Sequence, residues 1–143
     1  MSENELQRLQ REARENPSAF WAREAADLPW FSPWESVLDW TPPTFTWFKG
    51  ATTNLTYACL DRHIESGHGE RPALIWLRED GAERRLSYAE LLHEVERVAA
   101  ALRALGLGHG DRVTISMPVS VEAISLMLAC SRIGAIHSVV FAG

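Results

Sequence analysis

The sequence predicts an α/β fold, a partial doubly wound sheet preceded by a helical and Trp/Pro-rich extension, and three stretches predict it. Residues 112–140 read strand, helix, strand within a span short enough for one right-handed crossover, which makes the two strands parallel. Residues 73–105 read as a hairpin that runs into a strongly periodic helix. Residues 30–50 gather tryptophan and proline in a segment too apolar for a free linker and too proline-rich for regular structure.

In chain order, residues 3–14 form a charged, weakly amphipathic helix whose only large apolar side chains are Leu6 and Leu9. A second helix is capped by Asn16, opened by Pro17, given an apolar side by Phe20 and Trp21, and stopped by Pro29. The Trp30–Gly50 segment then carries Trp30, Trp34, Trp40 and Trp47 with Pro33, Pro42 and Pro43, and is expected to wrap over another surface on its aromatic anchors. An aromatic stripe can also serve as a ligand platform, although large aromatics mostly pack. Residues 54–66 read as a helix capped by Asn54 and ended by Gly67.

Ala73 to Leu77 has the length and composition of a buried strand, and Asp80-Gly81 turns it into Glu83 to Leu86. Ser87 and Glu90 form a capping box, since the hydroxyl and the carboxylate can each accept from the other residue's free backbone N–H. Tyr88, Leu91, Leu92, Val95, Val98, Ala99, Leu102 and Leu105 follow as a stripe at helical spacing, and Gly106 ends it. Arg112 to Ser116, Ser120 to Ile133 with Gly134 beyond it, and Ile136 to Val140 complete the strand, helix and strand. The predicted strands are apolar on both faces, so helices or chain are expected on both sides of the sheet.

Composition excludes several classes of function. Fourteen Lys and Arg against nineteen Asp and Glu give a net charge of −5, which leaves no broad basic surface for a nucleic-acid backbone. The N-terminus is polar, and the longest apolar stretch, Val119 to Ala129, is broken by Ser120, Glu122 and Ser125 and is too short to span a bilayer. A cytoplasmic protein is the expectation. Cys59 and Cys130 lie in apolar stretches without metal-ligand spacing and read as reduced core thiols.

In open parallel sheets ligands bind outside the carboxyl ends of the strands, so the loop after Val140 is where a site is expected. The sequence stops three residues later, at Gly143, and an incomplete domain is therefore expected. Phe141, Ala142 and Gly143 are small enough at two positions to let a ligand approach the backbone, a weak signal alone. Gly106, Gly108 and Gly110 lie between a helix and a strand, the reverse of a phosphate-binding glycine loop, and serve helix termination and turning. His63 and His68 straddle the end of a helix and do not share a face as metal ligands would. His137 reads as a hydrogen-bonded core histidine in preference to a catalytic one. No nucleophile elbow or phosphate loop occurs, so no catalytic residue and no metal ligand is assigned.

Several segments together resemble the start of the AMP-forming acetyl-CoA synthetases, within the acyl-CoA ligases. Phe20-Trp21, Trp30 and Pro33-Trp34 resemble that family's N-terminal extension; Trp47-Phe48, Asn54-Leu55 and Cys59-Leu60-Asp61-Arg62-His63 resemble its approach to the main domain. Ala73-Leu74-Ile75-Trp76, Leu86 to Leu91, Gly110-Asp111-Arg112-Val113, Met117-Pro118 and the run from Arg132 to Phe141 continue the likeness.

The resemblance implies an extension over 1–68 and the start of the AMP-binding domain over 69–143. It implies a reaction for the whole enzyme in which a short-chain carboxylate and ATP give an acyl-adenylate and pyrophosphate, and CoA then displaces AMP. ATP, magnesium and CoA are thus implied for the whole enzyme, and none is expected to be bound by this chain alone. Phe141, Ala142 and Gly143 fall on the family's CoA-lining turn, where Ala142 replaces a glycine. Two readings follow: an N-terminal segment of such a ligase, inactive alone, or a non-catalytic binding module that pairs with a separately encoded remainder or a related ligase. No nucleic-acid or membrane partner is expected.

Overall fold

The computed structural model describes residues 3–140, and the chain forms two compact units that part between Thr53 and Asn54. The fold is α/β, built from short strand pairs and helices.

The first unit opens with α1 (Glu3–Glu15) and α2 (Pro17–Ala25). Asn16 separates them because its Oδ1 accepts from Ala19 N at 3.0 Å, satisfying one free N–H of the first turn of α2. Glu12 of α1 pairs with Arg8 at 2.7 Å and with Arg23 of α2 at 3.2 Å, so the two helices share one carboxylate. The Trp30 indole N–H donates to Ala25 O at 2.8 Å and fastens the chain leaving α2.

The segment expected to lack regular structure is a β-hairpin of β1 (Ser36–Thr41) and β2 (Thr44–Lys49). Its prolines explain the correction. Pro42 and Pro43 occupy the two-residue turn, with a cis bond between them, where neither a ladder N–H nor an extended φ is required. The Val, Trp, Thr and Phe residues on either side favour strands and pair Leu38 with Trp47 and Trp40 with Phe45. Phe48 packs with Trp30 and Trp34 at 5.2 and 5.4 Å, forming the aromatic centre of this unit.

The second unit begins at Asn54, whose Oδ1 accepts from Thr56 N at 2.9 Å and Tyr57 N at 3.3 Å, the expected cap. The helix that follows contains a π-helical turn over Tyr57–Asp61 before α3 (Arg62–Glu65), a widening that the sequence reading did not anticipate. Gly67, at φ +79°, reverses the chain beyond it. The β3 (Pro72–Leu77) and β4 (Glu83–Ser87) hairpin leads into α4 (Tyr88–Ala104), and both halves of the capping box are formed, at 2.8 and 3.2 Å. After α4 come β5 (Arg112–Ile115), α5 (Val121–Ile133) and β6 (Ile136–Val139), with β5 and β6 parallel as predicted.

The core of this unit lies where α4 meets α5. Leu91, Val95, Ala99 and Leu102 of α4 pack with Val121, Ala129, Cys130 and Ile133 of α5, and Leu60 and Leu86 close the ends. Two expectations are corrected. Leu105 lies past the last turn of α4 and is 78% exposed, so the stripe stops one turn early. The apolar runs are not buried on both faces: Leu74 and Trp76 pack on the core, while the alternating Ile75 and Leu77 are 50% and 66% exposed. Ile136 and Val139 are exposed as well, and among the described residues the hairpin and the parallel pair form separate ladders.

Candidate functional site

The carboxyl end of the parallel pair is built by local chemistry on three sides. Val113 stands beside His137 and Ile115 beside Val139 in the ladder, and Val140 N donates to Ile115 O at 2.8 Å, so β6 delivers the chain to that end. From β5, residues 116–120 pass over the same end and enter α5 through Ser120, whose Oγ accepts from Ala123 N at 3.2 Å. The first turn of α5 carries Glu122. Its own backbone N–H and then the Ser120 hydroxyl hold its carboxyl below the usual carboxylate range against an opposing desolvation penalty, and the Arg84 guanidinium adds a lesser pull in the same direction.

The β3–β4 hairpin supplies the third side. The Trp76 indole donates to Val119 O at 3.0 Å, and Arg84 bonds Glu122 at 2.9 Å, so the hairpin is tied both to the loop after β5 and to the start of α5. Between hairpin tip and loop lies a cleft of about 620 Å³ with Trp76, Leu77, Pro118 and Val119 as its apolar walls. Arg78 and Asp80 pair at 3.2 Å on its rim. Such a cleft can receive an apolar group. No paired nucleophile and base, and no group of three or more His, Cys, Asp or Glu side chains, converges among the described residues.

The predicted site residues fare differently. Phe141, Ala142 and Gly143 lie outside the described residues. Gly106 and Gly110, at φ +86° and +83°, turn the chain between α4 and β5 as expected. His63 packs against Tyr88 with ring centroids 4.7 Å apart and the planes tilted by 35°, which gives it a packing role. His137 is half-buried in β6, with no hydrogen bond from its side chain to another described residue, so the bonded core histidine is not found. Cys130 is buried, and burial pushes its thiol above the ordinary value; Cys59 is exposed, which corrects its assignment to the core.

Sequence reasoning missed the strongest polar cluster of the second unit. Arg132 reaches across from α5 to Asp61 with two bonds of 2.9 and 3.0 Å and to Glu96 of α4 at 3.1 Å. The Asn54 amide donates to Ser131 O and Arg132 O, and the Thr56 hydroxyl to Leu128 O, so the start of the helix after Thr53 is fastened to carbonyls of the C-terminal part of α5. These groups satisfy one another and hold the frame. The sequence signal was Arg132, the basic residue in the last turn of α5.

Comparison with known proteins places both units. A family model described as AMP-binding enzyme matches residues 50–143, and one described as acetyl-coenzyme A synthetase N-terminus matches residues 6–59. The acetyl-coenzyme A synthetase of Deinococcus radiodurans is 48% identical over 143 residues, covering 100% of this chain and 22% of that protein. That of Mycobacterium tuberculosis strain H37Rv is 50% identical over 137 residues, 94% of this chain and 21% of its own length. The Rhodopirellula baltica protein of the same name is 48% identical over 149 aligned positions, 99% of this chain and 22% of that protein. The chain thus spans about a fifth of the length of the curated relatives it matches.

Proposed function

We propose, from the premise that this chain belongs to the AMP-binding enzyme family, that it is the N-terminal segment of an AMP-forming acetyl-CoA-synthetase-like ligase and is inactive alone. The observation that carries this reading is the continuity of the likeness. The synthetase N-terminus match runs over the first unit into the second, where the AMP-binding match takes over, and the identity to the Deinococcus radiodurans synthetase is 48% over 143 residues.

In this reading residues 1–68 are the extension and 69–143 begin the nucleotide-binding domain, a division by ancestry that cuts later than the packing boundary at Thr53. The whole enzyme joins a short-chain carboxylate to CoA with ATP, through an acyl-adenylate, releasing pyrophosphate and then AMP. It acts in the cytoplasm; no described helix is long and apolar enough to cross a membrane. In this reading the groups that hold magnesium and the phosphates belong to the remainder of the enzyme, and the described residues of this chain have a structural part. Their part is to bring the chain to the carboxyl end of β5 and β6, and Phe141, Ala142 and Gly143 are proposed to line the CoA site beyond it.

The test is a chimera in which residues 1–143 replace the matched head of the Deinococcus radiodurans synthetase. Acetate, magnesium ATP and CoA should give acetyl-CoA with the chimera and no pyrophosphate release with the 143-residue chain. A folded chimera without ligase activity would count against the reading, and turnover by the chain alone would overturn its inactivity.

A further inference from the structure

The aromatic side chains of the first hairpin divide into two sets. Phe48 turns into its own unit, where Trp30 and Trp34 lie 5.2 and 5.4 Å from it. Trp40 and Phe45 stand opposite each other in the ladder and stack at 5.8 Å with 16° between their planes, yet remain 65% and 58% exposed. The same face continues to Trp47, which meets Trp21 of α2 at 6.3 Å. A cross-strand aromatic pair stabilises a hairpin by about 0.2–1 kcal/mol. That gain needs only the rings' contact with each other and leaves their outer faces unexplained.

We propose that the Trp40–Phe45 face is a docking surface whose occupant is the part of the ligase that follows this segment in its relatives, packed in the same polypeptide. The proposal rests on the ligase reading above. Area argues for a covalently joined occupant. The two exposed rings offer on the order of 300 Å², well below the roughly 800 Å² per partner typical of a stable interface between separate molecules. A covalent connection raises the effective concentration of the occupant, so a small patch suffices. Length agrees, because the matched segment is 22% of the Deinococcus radiodurans relative and the rest of that protein lies outside it. The patch itself consists of two aromatic rings, so the surface calls for an apolar occupant.

The experiment compares the 143-residue chain with the chimera described above. Replacing both rings, Trp40→Ala with Phe45→Ala, should lower the Tm of the chain by at most about 4 °C, the loss of the ring pair alone, and lower that of the chimera by about 3 °C or more beyond that. An equal shift in both, or none in the chimera, overturns the proposal, as does self-association of the chain that the substitutions abolish. A second measurement does not depend on the chain's own stability. In a Cys59→Ser background, maleimide labelling at Phe45→Cys, followed by peptide mass, should be about tenfold slower in the chimera than in the chain. Equal rates in a ligase-active chimera sink the docking alone, whereas a folded, inactive unsubstituted chimera sinks the ligase reading.

Discussion

Arg132 grips Asp61 with two guanidinium nitrogens on two carboxylate oxygens, 2.9 and 3.0 Å away, across 71 positions of sequence. The side chains are only 24% and 17% exposed, and Glu96 accepts a third bond from the same guanidinium. A planar fork that fills both carboxylate oxygens cannot be reproduced by an ammonium. Arg132→Lys should therefore cost about 1–2 kcal/mol in urea denaturation, and Arg132→Ala about 2–3 kcal/mol because Asp61 is left half-buried without its partner. If Arg132→Lys were neutral, the two-pronged geometry would have no energetic content.

How far the sequence could be read depends on the range of the chemistry involved. Capping was legible at Asn16, Asn54, and Ser87 with Glu90, because donor and acceptor lie within three residues of each other. The β1–β2 hairpin was not legible because proline forbids a strand interior but suits a turn, and only the paired flanks show which applies to Pro42 and Pro43. The exposed Ile75, Leu77 and Ile136 were misjudged because an apolar run states how much a strand could bury, not how many faces are covered. Arg132, Asp61 and the second role of Asn54 depend on contacts more than 70 residues apart, which no local pattern encodes. Of the candidate site, the delivery of β6 to the carboxyl edge was legible from the strand, helix and strand order.

The two cysteines should separate by reactivity. Cys130 sits in the α4–α5 core with its thiol pushed up by burial, so both access and thiolate fraction are low; Cys59 is exposed on the π-helical turn. Ellman's reagent at neutral pH should titrate one thiol in the native chain and two in denaturant, and Cys59→Ser should abolish the native reaction. A fast reaction of both thiols in native buffer would contradict the packing of α5.

Glu122 gives acid sensitivity a location. Its folded-state value is depressed, first by its own backbone N–H, then by Ser120 and Arg84. Its contribution is therefore complete above the ordinary carboxylate value of about 4.3 and disappears as pH falls through the lower folded value. Glu122→Gln should flatten the loss of stability below about pH 5. With 61% of the Glu122 side chain exposed the effect is screened, and added salt should reduce the part owed to Arg84. Wild-type and variant curves that stay parallel from pH 6 to pH 3, a range set about the ordinary carboxylate value, would remove Glu122 from the account.

Gly134 combines two constraints whose sizes can be separated. It holds φ at +76° where α5 ends, and a Cβ built on it would stand 2.8 Å from His109 Cδ2. The backbone cannot relax easily, since Gly110 N bonds Gly134 O at 2.9 Å and Ile136 N bonds Asp111 O at 2.7 Å on either side. The imidazole is exposed and can turn aside, so most of the cost should come from the left-handed backbone, about 1–2 kcal/mol for a residue with a Cβ. Gly134→Ala should therefore destabilise the chain by about 2 kcal/mol, and adding His109→Ala should recover less than half of that. Full recovery would assign the cost to the ring contact. A neutral Gly134→Ala would mean that α5 does not end in the left-handed turn that feeds β6.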